Sequence, residues 1–171
     1  MINLKIMTLS ILISTTYSCG GSSDNNTSGN NSDRTSQDSD NYNNVITIVE
    51  EREIFNLVNS HRQNLGLTPL SWHNHATKVS QVHSKDMASG RVRFGHTGFN
   101  NRINKIKNID TTVNASGENV AQNTNASRAF RAWLRSYGHR KNIEGNYTHT
   151  GIGADIDSNG NWYFTQIFLR K

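Results

Sequence analysis

The chain predicts an α+β domain, a mainly antiparallel sheet covered by helices, and three observations carry that prediction. Amphipathic helix patterns open the folded part, a short apolar strand and another helix follow, and an alternating β-hairpin closes the chain. The 171 residues suit one domain with appendages, and so one hydrophobic core. No solenoid-length repeat, glycine-rich phosphate loop or paired-cysteine zinc motif is present in the sequence.

Residues 1–18 read as a lipoprotein signal peptide. Lys5 supplies the positive flank, Ile6 to Ile13 the apolar stretch, and small or polar residues lead to Cys19. The stretch falls short of the roughly 20 apolar residues that a bilayer span needs. Thr16, Tyr17, Ser18 and Cys19 resemble a loose lipobox, the lipid-attachment motif of bacterial lipoproteins. The usual motif has Leu three residues before the cysteine and a small residue two before it, and Tyr17 departs from that pattern. Cys19 is the only cysteine, so an intrachain disulfide is impossible. Lying between a signal and a polar tract, it has no core to join as a buried thiol, so lipidation is the expectation. The protein is then exported and held at a membrane, facing the periplasm or the cell exterior.

Residues 19–44 read as a disordered tether rich in Asn, Ser and Asp, too polar to offset its own ordering entropy. Asp24, Asp33, Asp38 and Asp40 against Arg34 make it acidic, whereas residues 45–171 carry 16 Lys and Arg against 9 Asp and Glu. The folded domain is therefore basic, which suits nucleic acid, anionic lipid or acidic polysaccharide without choosing among them. No nucleic-acid-binding motif accompanies the charge. Arg128, Arg131 and Arg135 recur at helical spacing, which fits a solvated helix face as well as a binding stripe.

Within residues 45–171, Ile54, Leu57, Val58, His61 and Leu65 mark the apolar face of a first helix that Gly66 ends. Pro69 starts an extended piece, Leu70 to Trp72. Ala76, Val79, His83 and Met87 mark a second helix closing near Gly90. Asn100 to Lys107 fits a short third helix, capped by Asn100 or Asn101, with Ile103 and Ile106 on one side. Glu118 to Gln122 suits a strand. A fourth helix follows, capped by Ser127, with Phe130, Trp133 and Leu134 on one face. Ile152, Ala154 and Ile156 alternate, Ser158 to Asn161 turns the chain, and Trp162 to Leu169 returns as the second arm of the hairpin.

Ordered motifs along this stretch resemble one family. Asn59-Ser60-His61-Arg62-Gln63 with Gly66-Leu67-Thr68-Pro69-Leu70-Ser71-Trp72 is similar to the opening of bacterial CAP domains, the superfamily of cysteine-rich secretory proteins, antigen 5 and pathogenesis-related class 1 proteins. His83 to Met87, Gly95-His96-Thr97-Gly98, Gly117-Glu118-Asn119-Val120-Ala121, Trp133 to Ile143, Gly151 to Ala154 and Trp162 to Phe168 follow in the family's order. The resemblance covers roughly Ile48 to Leu169 and implies an α-β-α sandwich, with helices on both faces of the sheet and an open cleft.

The resemblance also implies a site. It carries the cleft's histidines onto His96 and His139 and its glutamate onto Glu118, while the second acidic position of animal and plant members falls on Ser136. Two imidazoles and a carboxylate form a three-ligand set for a divalent metal, zinc first, and catalysis could use the same three side chains. Alternatively they form a hydrogen-bonded polar cluster that orders the cleft without chemistry. A binding module for a lipid, glycan or protein is the leading functional expectation, and a metal-dependent hydrolase of envelope or host material is the alternative. His61 and His83, on apolar helix faces, read as satisfied core histidines, and His73, His75 and His149 as surface or loop residues. Asn119 and Asn142 fit bracing roles, and Trp72, Trp133 and Trp162 core packing.

Overall fold

A computed structural model describes residues 32–171, so Cys19 and the signal segment lie outside the described residues. Helix α1 runs Ser32–Asn64, strand β1 Ser71–Trp72, α2 Asn74–Ala88, α3 Phe99–Lys107, β2 Ala115–Asn123, α4 Ala126–Arg135, α5 Tyr137–Ile143, β3 His149–Ile156 and β4 Trp162–Arg170. No helix among the described residues is long and apolar enough to cross a membrane.

The sheet order is β1-β3-β4-β2, with β3 and β2 antiparallel to β4 and only β1 parallel to its neighbour. Alternation along β4 gives the sheet two apolar faces. Trp162, Phe164 and Phe168 meet Ile54 and Val58 of α1, Phe130 and Trp133 of α4 and Ile143 of α5. Ile167 and Leu169 meet Ala76 of α2 and Ile103 and Ile106 of α3. The result is the expected α-β-α sandwich, with α1, α4 and α5 on one side and α2 and α3 on the other.

Gly66 ends α1 as expected, with φ 72°, and Leu67 N–H returns to the Arg62 carbonyl at 2.9 Å. The other end differs: α1 begins at Ser32, so the segment expected as a tether is helical over 32–44. That stretch is polar but contains neither Gly nor Pro, and a helix nucleated by the packed residues after Val45 propagates through it without a new nucleus. Helix caps also depart from expectation. Asn125, not Ser127, caps α4 by accepting from Arg128 N–H at 2.9 Å, and α3 starts after Gly98 with no side-chain cap. Beyond α4, Ser136 is extended at φ −95° and ψ 119°, which separates α5 as a helix of its own.

Helix α2 lies against β3 at backbone contact. A Cβ built at Gly151 would stand 2.2 Å from Thr77 N, and one at Gly153 would stand 2.2 Å from Gln81 N. The two glycines on one face of β3 therefore set the sheet-to-helix distance, and Ser84 Oγ uses it to donate to the Gly153 carbonyl at 2.9 Å. The Gly151-Ile152-Gly153 motif is thus a packing requirement.

Candidate functional site

Strand β2 is at the sheet edge, and its two faces supply different parts of the site. Glu118 pairs in register with Ile167, whose side chain belongs to the α2–α3 layer. Its carboxylate is only 2% exposed and needs a counter-charge. Arg102 of α3 supplies one: Nε donates to Oε2 and Nη2 to Oε1, both at 2.8 Å, and Nη1 donates to the Thr97 carbonyl at 2.8 Å. This bidentate fork is the strong form of an arginine–carboxylate pair.

His96 adds a third contact, Nδ1 to Glu118 Oε1 at 2.9 Å, while its side chain stays 50% exposed. A carboxylate is an acceptor only, so the His96 ring is the donor of this bond and presents its proton at Nδ1. The loop carrying His96 is braced from behind, where the buried His83 bonds through Nε2 to the Gly95 carbonyl at 2.9 Å. Burial, first of all, pushes the His83 base below its ordinary value, with the nearby Arg102 charge acting the same way. A concavity of about 280 Å³ lined by Val79, His83, Gly98 and Arg102 abuts this side of the site.

His139 comes from the opposite layer, on α5. Asn119 and Asn142 fix that helix to the strand: Asn119 Nδ2 donates to the His139 carbonyl at 3.0 Å, and Asn142 Nδ2 donates to the Glu118 carbonyl at 3.1 Å and to Asn119 Oδ1 at 2.9 Å. The expected bracing roles of both asparagines are thus filled. Half-buried, His139 has its base lowered by burial first and then by the positive charge that His96 carries when protonated. Trp133 supports the arrangement by donating from Nε1 to the Val120 carbonyl at 2.9 Å.

The expected zinc centre does not fit this donor set. Both Glu118 oxygens accept from a guanidinium, whose positive charge also opposes a cation at the same spot. Among the described residues no group of three or more His, Cys, Asp or Glu is placed to hold a metal ion.

The sequence motifs pointed to His96, Glu118 and His139; the structure joins the first two by a hydrogen bond and adds Arg102, which the motifs missed. One signal was available: Arg102 precedes Ile103 and stands four residues before Ile106, on the side of α3 that turns to the core, where a cation needs a carboxylate partner. His73, His75 and His149 also differ from expectation, because their rings gather at centroid distances of 6.1 and 6.0 Å. His73 is buried. Its Nδ1 accepts from Ala76 N–H at 3.1 Å as the α2 cap, and its Nε2 meets Asp110 Oδ2 at 3.1 Å, so both nitrogens are committed to structure. His61 is likewise engaged, through Nε2 to Glu144 Oε1 at 2.9 Å.

Known proteins agree with the fold and the order of motifs. The uncharacterized membrane protein YlbC of Bacillus subtilis is 31% identical over 130 residues, 74% of this chain and 36% of that protein. The uncharacterized protein YkwD of the same organism is 32% identical over 125 residues, 71% of this chain and 47% of that one. The chain therefore spans less than half the length of either relative. A crystal structure of an extracellular SCP-domain protein from Bacillus anthracis superposes with a TM-score of 0.60 at 27% identity, covering 85% of this chain and 45% of that one. Residues 55–168 match the family model for CAP, the cysteine-rich secretory protein family, and the chain belongs to that family.

Proposed function

We propose that this chain is an exported binding module, tethered by lipid on Cys19, that recognises a ligand at the edge of β2 and does not turn it over. The engagement of Glu118 carries this reading. The metal-dependent hydrolase expected as the alternative needs this carboxylate free as base or as metal ligand, and here three bonds from Arg102 and His96 occupy it. What faces solvent is the half-exposed His96 ring, and His139 is half-buried on α5. Imidazole nitrogens suit hydrogen bonding to a glycan, a lipid headgroup or a protein. An extracellular setting is supported by the signal-like residues 1–18 and by the Bacillus anthracis relative, itself described as extracellular.

Turnover is the deciding measurement. Ester, peptide and polysaccharide substrates incubated with the purified protein, with and without added zinc, are expected to show no hydrolysis above that of the His96→Ala/His139→Ala double variant. Zinc-dependent hydrolysis that disappears in the folded double variant would overturn the reading and establish the hydrolase instead.

A further inference from the structure

The binding reading leaves the ligand open, and the surface of α4 and α5 narrows it. From Ala126 to Ile143 the chain carries Arg128, Arg131, Arg135, Arg140 and Lys141 and no Asp or Glu. All five cations are exposed, and among the described residues none of them pairs with a carboxylate. Four other cations of the domain are occupied: Arg91 bonds Asp86, Arg102 bonds Glu118, Lys171 bonds Asp110, and Arg62 spends its guanidinium on four backbone carbonyls. Concentrated like charge repels itself within a domain and attracts a polyanion to it.

Shape adds to charge. Tyr137 is 74% exposed, far more than packing alone would leave an aromatic ring. With Arg140 and Lys141 at three and four residues' spacing it shares one side of α5, and the three line a concavity of about 290 Å³ with Glu144 and Gly145. The one carboxylate there, on Glu144, is held by His61 at 2.9 Å. Arg128, Arg131 and Arg135 share one side of α4, a positive strip of about 10 Å that ends two residues before Tyr137, so the surface suits a chain of charges better than a lone anion.

The geometry points to an acidic polysaccharide as the ligand of this face, with a sugar ring against Tyr137 and its acidic groups on Arg135, Arg140 and Lys141. This assignment rests on the binding-module reading and names its ligand class. A membrane is disfavoured because Tyr137 is the only exposed large apolar residue on the two helices, so nothing aliphatic is available to insert. Single-stranded nucleic acid is disfavoured because one ring offers no series of stacking platforms.

The test is calorimetric titration of the full chain, in neutral detergent, with polygalacturonate at low salt. Dextran, phosphatidylglycerol vesicles and single-stranded DNA serve as alternative probes. Polygalacturonate is expected to bind, weakening as salt rises, and dextran is not. Tyr137→Ala, which changes no charge, is expected to weaken binding at least tenfold, as is Arg140→Ser/Lys141→Ser. Lys78→Ser/Lys85→Ser, an equal charge loss on exposed positions of α2, is expected to change it less than twofold. Equal losses in the α2 control, an unaffected Tyr137→Ala variant, or tighter binding to vesicles or DNA would each overturn the proposal. Chain length of the recovered polymer separates the two readings: shortening defeats the non-hydrolytic module, while the variants still decide the face.

Discussion

Glu118 and Arg102 illustrate how a buried charge is tolerated only as half of a pair. Removing the guanidinium strands a carboxylate that is 2% exposed, which typically destabilises a domain by about 3–5 kcal/mol. Arg102→Leu is therefore expected to lower the unfolding free energy, measured by denaturant titration, by that amount. Arg102→Lys is expected to restore only part of it, since an ammonium cannot span both oxygens. A stability loss below about 1 kcal/mol in Arg102→Leu would show that the fork does not form. Glu51 presents the opposite case. It is buried at 3% exposure, with bonds from Gln81 Nε2 and Ala154 N–H, and burial pushes its carboxyl up to about 7 against those bonds. Because the folded value lies above the unfolded one, the stability it contributes is complete below about 4.5 and is lost as pH rises through about 7. Raising the pH from 5 to 8 is expected to remove on the order of 2–3 kcal/mol through this group. Glu51→Gln is expected to flatten that part of the pH profile, and an equally steep profile in the variant would refute the assignment. The motif residues His96, Glu118 and His139 were legible because each lies in a local string of distinctive neighbours. Arg102 was not, since a lone arginine in a polar helix resembles any solvated cation until the sheet brings Glu118 beneath it.

Among the elements, the contact of α2 with β3 is the most restrictive. A methyl at residue 151 would meet backbone atoms of Ala76 and Thr77, which no rotamer change relieves. Gly151→Ala is expected to cost at least the roughly 1–3 kcal/mol seen for overpacked cores. Gly138→Ala is a control, because nothing lies within 4 Å of its Cβ position in α5, and it is expected to be neutral or stabilising in thermal denaturation. Periodicity revealed α2, α3 and the β3–β4 hairpin, because their apolar spacing is set by the core they cover. It did not reveal the break between α4 and α5. No proline or glycine stands at Ser136, and the change of direction there serves tertiary contacts such as Asn142 to Glu118. The approach of His149 to the pair of His73 and His75 was not legible for a related reason: parallel pairing of β1 with β3 brings it there, and a pairing so distant in sequence has no local signature.

For the molecule as a whole, the three-layer architecture was legible from the order of helix and strand patterns together with the family resemblance, whereas the reach of α1 back to Ser32 was not, because polar sequence without breakers is compatible with coil and with helix alike. The chain has one cysteine, so no intrachain disulfide holds the described domain. The lipid attachment proposed at Cys19 has no intrachain disulfide to compete with it. Cys19→Ser is expected to move the protein from the membrane fraction to the soluble fraction without altering its thermal midpoint, and unchanged fractionation would argue against lipidation. The two rings at the rim of β2 belong to different sides of the sandwich, His96 ahead of α3 and His139 on α5. A guest that grips both at once acts as a rivet through that rim, and the layers it joins can no longer part without first letting it go.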